Sequence, residues 1–131
     1  MPSESILIVD DNAVNAKLLS FVLARAGYVV RVAADATEAL EVLESFRPRL
    51  ILMDLQLPGM DGFDLTRMIK GKPGGADIVV VALTAYAMKG DDERARAAGC
   101  DGYITKPIDT RTLSGLVAEH LARPGSPRPT N

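Results

Sequence analysis

Five residues in this 131-residue chain combine side-chain type and setting in a way that could do chemistry: Asp10, Asp11, Asp54, Thr84 and Lys106. Asp10, Asp54, Thr84 and Lys106 each follow at once on a short apolar run, at 5–9, 49–53, 78–83 or 103–105, and Asp11 comes directly after Asp10. Taken singly they say little. An Asp after a strand more often caps a helix or a turn, a Lys near a carboxylate is usually a surface ion pair, and a strand-end Thr usually bonds locally. Taken together they suit one reaction. Three carboxylates in one crevice repel one another and stay ionised together only if positive charge sits among them, and Lys106 supplies a single charge. A hard divalent cation with oxygen ligands completes the set, magnesium or manganese in its place, because such an ion takes one or two carboxylates and shares a phosphate oxygen. With no histidine near the rim, zinc is disfavoured. A carboxylate beside such a cation can attack phosphorus and form an acyl phosphate. The cation, the Lys106 ammonium and the Thr84 hydroxyl would then cover the three equatorial oxygens.

The apolar runs that position these residues read as buried parallel strands: SILIV at 5–9, YVVRVA at 28–33, RLILM at 49–53, IVVVAL at 78–83 and a short one at 103–105. The fourth is the most apolar, which places it near the sheet centre. Helical segments alternate with them. Val14, Leu18, Phe21 and Val22 form an i, i+4, i+7, i+8 stripe that predicts the buried face of a first helix closed by Gly27. Asp35 and Glu38 give an Asp-x-x-Glu start for a second helix through about Ser45, before Pro48. The turn-rich loop Leu57-Pro58-Gly59-Met60-Asp61-Gly62 leads to a third helix through about Lys70, and Lys72-Pro73-Gly74-Gly75 breaks the chain again. A short helix at 91–98 closes at Gly99. Asp109 is expected to cap a last helix with Leu113, Leu116, Val117 and Leu121 on one face. Five strand-then-helix units without hairpin signals predict an α/β fold, a flavodoxin-like (βα)5 doubly wound parallel sheet in the order 2-1-3-4-5. In such sheets ligands bind at the carboxyl ends of the strands, where all five residues fall.

Composition narrows the function. Apolar residues at 47% and charged residues at 24% describe one ordinary globular domain, assigned to residues 1–123, with a Pro/Gly/Ser-rich flexible tail at 124–131. A net charge of −2 without a basic run disfavours direct nucleic-acid binding. No segment resembles a signal peptide or a membrane span, and a single cysteine, Cys100, forms no internal disulfide, so a soluble cytoplasmic protein is expected. Cys100 reads as a small core residue and His120, the one histidine, as structural or solvated. The methionines at 53, 60, 68 and 88 read as packing.

Four segments at these spacings carry a resemblance: ILIVDDN (6–12), LILMDLQLPGMDG (50–62), VVALTAYAMKGD (80–91) and GCDGYITKP (99–107). From about Glu4 to Leu121 the chain resembles the response-regulator receiver domains, chemotaxis-Y-like phosphoacceptors of two-component systems. The resemblance implies that Asp54 is the phosphoacceptor, fed by a phosphohistidine on a sensor histidine kinase or a phosphotransfer protein. It implies that Asp10 and Asp11 hold the metal with Asp54 and the backbone carbonyl of Gln56. Lys106 then pairs with the phosphate, the Lys106–Pro107 bond is cis, Thr84 is the switch hydroxyl and Tyr103 the switch aromatic. Gln56 and Tyr86, two residues past Asp54 and Thr84, are expected to tune the lifetime of the phosphoryl group. Such a domain is no turnover enzyme; it catalyses only its own phosphorylation and slow dephosphorylation. The Asn12-x-x-Asn15-x-x-Leu18 opening resembles both DivK-type cell-cycle regulators and receivers of hybrid histidine kinases.

No DNA-binding output domain is read in the sequence, so output is expected through protein contacts on the face of the fourth helix, fifth strand and fifth helix. The helix at 91–98 carries no large apolar residue, can bury little surface, and is expected to be the most mobile of the five. Three other readings compete. A flavin site would need a Ser/Thr- or Gly-rich phosphate loop where Asp10-Asp11 stand. An aspartate-based phosphatase would need an Asp-x-Asp pattern that neither acidic segment supplies. A phosphate-independent pseudo-receiver is disfavoured by the intact acids, Thr84 and Lys106.

Overall fold

The computed structural model describes residues 4–55, 57, 60, 62–84, 91–106 and 108–122, and in the helix at 91–98 the side chains of Glu93, Arg96, Ala97 and Ala98. Strands β1 (Ser5–Val9), β2 (Val29–Ala33), β3 (Leu50–Asp54), β4 (Val79–Thr84) and β5 (Gly102–Thr105) alternate with helices α1 (Ala13–Arg25), α2 (Ala36–Val42), α3 (Gly62–Lys70), α4 (Asp91–Ala98) and α5 (Leu113–Leu121). All pairings are parallel and the order is β2-β1-β3-β4-β5, as the sequence predicts. β3 takes the centre, with β4 beside it. A short 3-10 turn, Gly75–Asp77, follows the glycine pair. Among the described residues no helix is long and apolar enough to cross a membrane.

Successive strand side chains point to opposite faces of the sheet, and the core divides accordingly. Leu7, Val9, Ile51, Met53, Val80 and Ala82 pack on one side with Ala36 and Ala39 of α2, Leu65 and Ile69 of α3, and Ala98 of α4. Ile6, Ile8, Leu50, Leu52, Val81 and Leu83 pack on the other with α1 and α5. Every residue of β3 and β4 is buried, so each large aliphatic there contributes about 1.5–3 kcal/mol by leaving water. Cys100 belongs to the first cluster, and burial raises the pKa of its thiol. Met53 is in the core and Met60 packs against it, whereas Met68 is exposed; Met88 lies outside the described residues. The half-buried His120 ring lies against Gly102 in β5.

Two helix expectations are corrected. The stripe Val14, Leu18, Phe21 does not face the core: these residues are 80%, 47% and 59% exposed, and Val22 is only partly buried. The sheet instead receives Ala16, Leu19 and Leu23. The polar residues of α1, Asn15, Lys17, Ser20 and Arg25, are spread round the helix, so two apolar faces compete and the pattern alone does not choose between them. Arg25 covers part of the exposed face, its guanidinium 5.6 Å from the Phe21 ring centroid. Asp109, second, does not cap α5. Its carboxylate accepts from the backbone N–H and the guanidinium of Arg111, and the side-chain bond holds its pKa below the ordinary range. A turn closed by the Thr112 N–H on the Asp109 carbonyl precedes the helix, which starts after Thr112.

One other boundary is sharper than the pattern suggested. α2 ends at Val42 and the chain continues in turns through Ser45. Its start keeps the capping box, with the Glu38 N–H on Asp35 Oδ1 at 2.9 Å. The return bond from Glu38 goes to the N–H of Ala34, one residue further back.

The two faces of α1 make opposite predictions for neighbouring leucines. Leu19→Ala should cost about 2–5 kcal/mol in urea unfolding, as for buried leucines generally. Leu18→Ala should stay within about 0.5 kcal/mol of wild type, as surface changes do. Equal losses would return the predicted stripe to the core.

Candidate functional site

The parallel register brings the candidate residues together. Val9 pairs with Met53, so Asp10 and Asp54, one residue further along β1 and β3, are neighbours at the sheet edge. The Asp10 N–H extends the ladder by bonding to the Ala33 carbonyl at 3.0 Å. On the other side Asp54 pairs with Leu83 and Thr84 with Thr105, while the Lys106 N–H donates to the Thr84 carbonyl at 2.7 Å. Four strand ends thus meet on one rim.

Asp10 and Asp54 are nearly sealed from solvent, 1% and 3% exposed, whereas Asp11 is exposed. One carboxylate oxygen from each of the three lies within 4.8 Å of the others. Lys106 Nζ donates to Asp54 Oδ2 at 3.1 Å. The Asp10 carboxylate is gripped at both oxygens: Oδ1 accepts from the Asn12 N–H at 2.9 Å and Oδ2 from Asn15 Nδ2 at 2.7 Å. Asn12 also caps α1, its side chain accepting from the Asn15 N–H at 2.9 Å. Sequence reasoning used Asn12 and Asn15 only as part of a family pattern. The sign it passed over was their spacing, an Asn at the helix cap and another three residues on, the first bonding Asp10 through its backbone N–H and the second through its side-chain amide.

Gly62 was read only as a loop residue, yet it sets the site's geometry. Its N–H donates to the Leu55 carbonyl at 3.1 Å, and Thr66 Oγ1 donates to the Gly62 carbonyl at 2.7 Å. A Cβ at Gly62 would lie 2.6 Å from the Asp54 carbonyl oxygen and 2.7 Å from Leu55 Cα. The start of α3 therefore presses on the backbone that carries the Asp54 carboxylate, at a distance only glycine allows.

At an effective dielectric of about 20, unit charges about 4 Å apart interact by about 4 kcal/mol. Lys106 can therefore offset roughly one of the three repulsions among the acids. Beside Asp10 and Asp11 a cleft of about 350 Å³ opens between α1 and β2, where Lys17 and Glu38 cancel in formal charge. The remaining negative charge, oxygen donors only, and one acid open to solvent fit a hard divalent cation that keeps part of its water. Of the residues predicted for the site, Asp10, Asp11, Asp54 and Lys106 come together, and buried Thr84 stands on the same rim. Tyr103 is instead 43% exposed on β5. Gln56, Tyr86 and Pro107 lie outside the described residues.

A doubly wound sheet in this order, with an acidic cluster and a lysine at its carboxyl edge, defines the chemotaxis-Y-like class of α/β domains. The chain belongs to the response regulator receiver domain family, which matches residues 6–118. It is 44% identical over 118 residues to the polar-differentiation response regulator DivK of Brucella anthropi, covering 90% of this chain and 96% of that protein. Among solved structures, the chemotaxis response regulator CheY4 of Vibrio cholerae superimposes with a TM-score of 0.86 at 27% identity, covering 90% of this chain and 98% of that one. The receiver domain of a sensor histidine kinase from Pseudomonas aeruginosa, described with a magnesium ion coordinated in its active-site cleft, does so at 0.82 and 35% identity, covering 92% and 98%. The chain is thus a receiver domain of the two-component response-regulator type.

The close approach at Gly62 is testable. Gly62→Ala should lose about 1–3 kcal/mol in urea unfolding, the usual cost of overpacking, and should shift the backbone amide resonances of Asp54 and Leu55. A variant as stable as wild type, with those resonances unmoved, would mean that the contact relaxes freely.

Proposed function

We propose that the chain is a phosphorylation switch in which Asp54 accepts a phosphoryl group from a phosphohistidine. The donor is a sensor histidine kinase or a histidine phosphotransfer protein, and the setting is the cytoplasm. The observation that carries this reading is the buried Asp54 carboxylate, bonded to Lys106 at 3.1 Å and within 4.8 Å of the oxygens of Asp10 and Asp11. A carboxylate oxygen of Asp54 forms a bond to phosphorus as the bond from phosphorus to the imidazole nitrogen breaks, and the nitrogen leaves with the electron pair. Lys106 steers one phosphoryl oxygen and the Thr84 hydroxyl donates to another. Asp10, Asp11, Asp54 and the Gln56 carbonyl would hold magnesium, or manganese in its place, which supplies charge neutralisation for the phosphoryl oxygens. The chain acts on itself alone, catalysing its own phosphorylation and slow dephosphorylation, with Gln56 and Tyr86 tuning water access.

The new group carries about −1.5 to −2 charges and strong acceptor oxygens. Thr84 moves towards it, and Tyr103, exposed beside it on β5, turns into the space left behind. The surface that changes is the face of α4, β5 and α5, through which the chain signals to a protein partner. The donor docks elsewhere. Asp54 is sealed, so a donor must press its imidazole into the rim, and the apolar stripe of Val14, Leu18 and Phe21 begins directly after the Asp10–Asn12 loop. A helix of the donor laid on that stripe would cover apolar surface and reach the cleft together.

Incubation with labelled acetyl phosphate should give magnesium-dependent incorporation that saturates at one phosphate per chain and vanishes in Asp54→Ala. Failure with both acetyl phosphate and a phosphohistidine donor would leave a phosphate-independent interaction domain. Leu18→Glu should slow transfer from a phosphohistidine protein by about tenfold or more while leaving uptake from acetyl phosphate unchanged. Equal transfer from the protein donor in both forms would remove the stripe from the docking surface.

A further inference from the structure

Asn15 has not been given a role in the chemistry, yet it makes the shortest described hydrogen bond to the acidic cluster, 2.7 Å from its Nδ2 to Asp10 Oδ2. We propose that Asn15 is a positioning residue that locks the Asp10 carboxylate in the orientation needed to ligate a divalent cation, so that cation affinity depends on its side-chain amide. This inference rests on reading the three-acid cluster as a cation site.

The geometry supports it from three directions. An ionised carboxylate only accepts hydrogen bonds, so the amide must present nitrogen, not oxygen, to Asp10. Asp10 is 1% exposed, so water cannot readily replace a lost donor, and an unmet buried acceptor is costly. Its other oxygen is fixed by the Asn12 N–H at 2.9 Å, so the two donors together define the carboxylate plane. Each oxygen keeps a second lone pair for a ligand.

The device is local in sequence. Asn12 is the cap of α1 and Asn15 the third residue of the helix. In a capping box the side chain at that third position returns to the backbone N–H of the cap. Here Asn15 reaches past the cap to the acid at the end of β1, so the first turn of α1 serves the carboxylate as well as the helix. Without this donor Asp10 would be free to swing about its χ angles. Asp11 and Asp54 would then have to recruit the cation with one ligand undirected. Donors that orient metal ligands in this way change cation affinity by about 10–100-fold when removed.

The experiment is a magnesium titration of the full chain, followed by calorimetry and by amide NMR, on wild type, Asn15→Leu, Asn15→Gln and Asn12→Ala. Asn15→Leu keeps the side-chain size and removes the donor. It should weaken magnesium binding about tenfold or more, and it should also lower the metal-free melting temperature, because the buried Asp10 carboxylate loses a donor. Asn15→Gln keeps the donor and should recover most of the affinity. Asn12→Ala removes the helix cap but keeps its backbone bond to Asp10, so it should lower the melting temperature and affect magnesium binding much less. Wild-type affinity in Asn15→Leu would overturn the inference. So would an equal loss in Asn12→Ala, which would trace the effect to the helix start. Failure of the wild type to bind magnesium would overturn the cation-site reading itself, and this inference with it.

Discussion

Gathering three carboxylates within 4.8 Å at the edge of an apolar sheet, two of them almost sealed from water, is the constraint on which the rest of the structure depends. Each pair repels, and the apolar strands beneath offer no solvation. The chain answers with several small donors aimed at the acids: Lys106 on Asp54, and the Asn12 N–H and Asn15 amide on Asp10. These come from two separate segments, the start of α1 and the end of β5, and only a rigid sheet can hold them in register. The fully buried β3 and β4 provide that rigidity, since their aliphatic side chains fill both faces of the core.

The same constraint explains the close fit at the start of α3. Gly62 lets α3 begin against the Asp54 backbone, and Thr66, buried one turn further on, bonds back to the Gly62 carbonyl. On the far side of α3, Lys70 donates to the Ile78 carbonyl at 2.6 Å and to Asp101 at 2.8 Å, and Asp101 also accepts from the Val80 N–H. α3 is thereby tied at one end to the acid-bearing strand and at the other to β4 and the turn before β5. A rearrangement near Thr84 would be transmitted against this fixed frame.

Strand order and the rim of candidate residues were legible in the sequence because both rest on local signals. Apolar runs that stop at Asp10, Asp54, Thr84 and Lys106 mark strand ends whatever the remainder of the chain does, and parallel crossovers leave few ways to order them. The buried face of α1 was not legible. With apolar residues on two sides, the stripe of Val14, Leu18 and Phe21 scored as well as that of Ala16, Leu19 and Leu23. Small Ala16 won because it lets the helix lie close to the sheet. The Asp109 cap failed for a related reason: a local competitor, Arg111, satisfies the carboxylate first.

By itself the sequence determined the kind of fold, the residues that reach the carboxyl edge and the chemistry they could share, because strand periodicity and turn chemistry act over a few residues at a time. Only the tertiary structure decided which acids are buried, that Asn15 and Gly62 belong to the site, and that α1 turns Val14, Leu18 and Phe21 to solvent. The burial of the acids and the buried face of α1 depend on packing between segments far apart in the chain, while the Asn15 and Gly62 contacts, though short in sequence, depend on the path the chain takes as it leaves each strand.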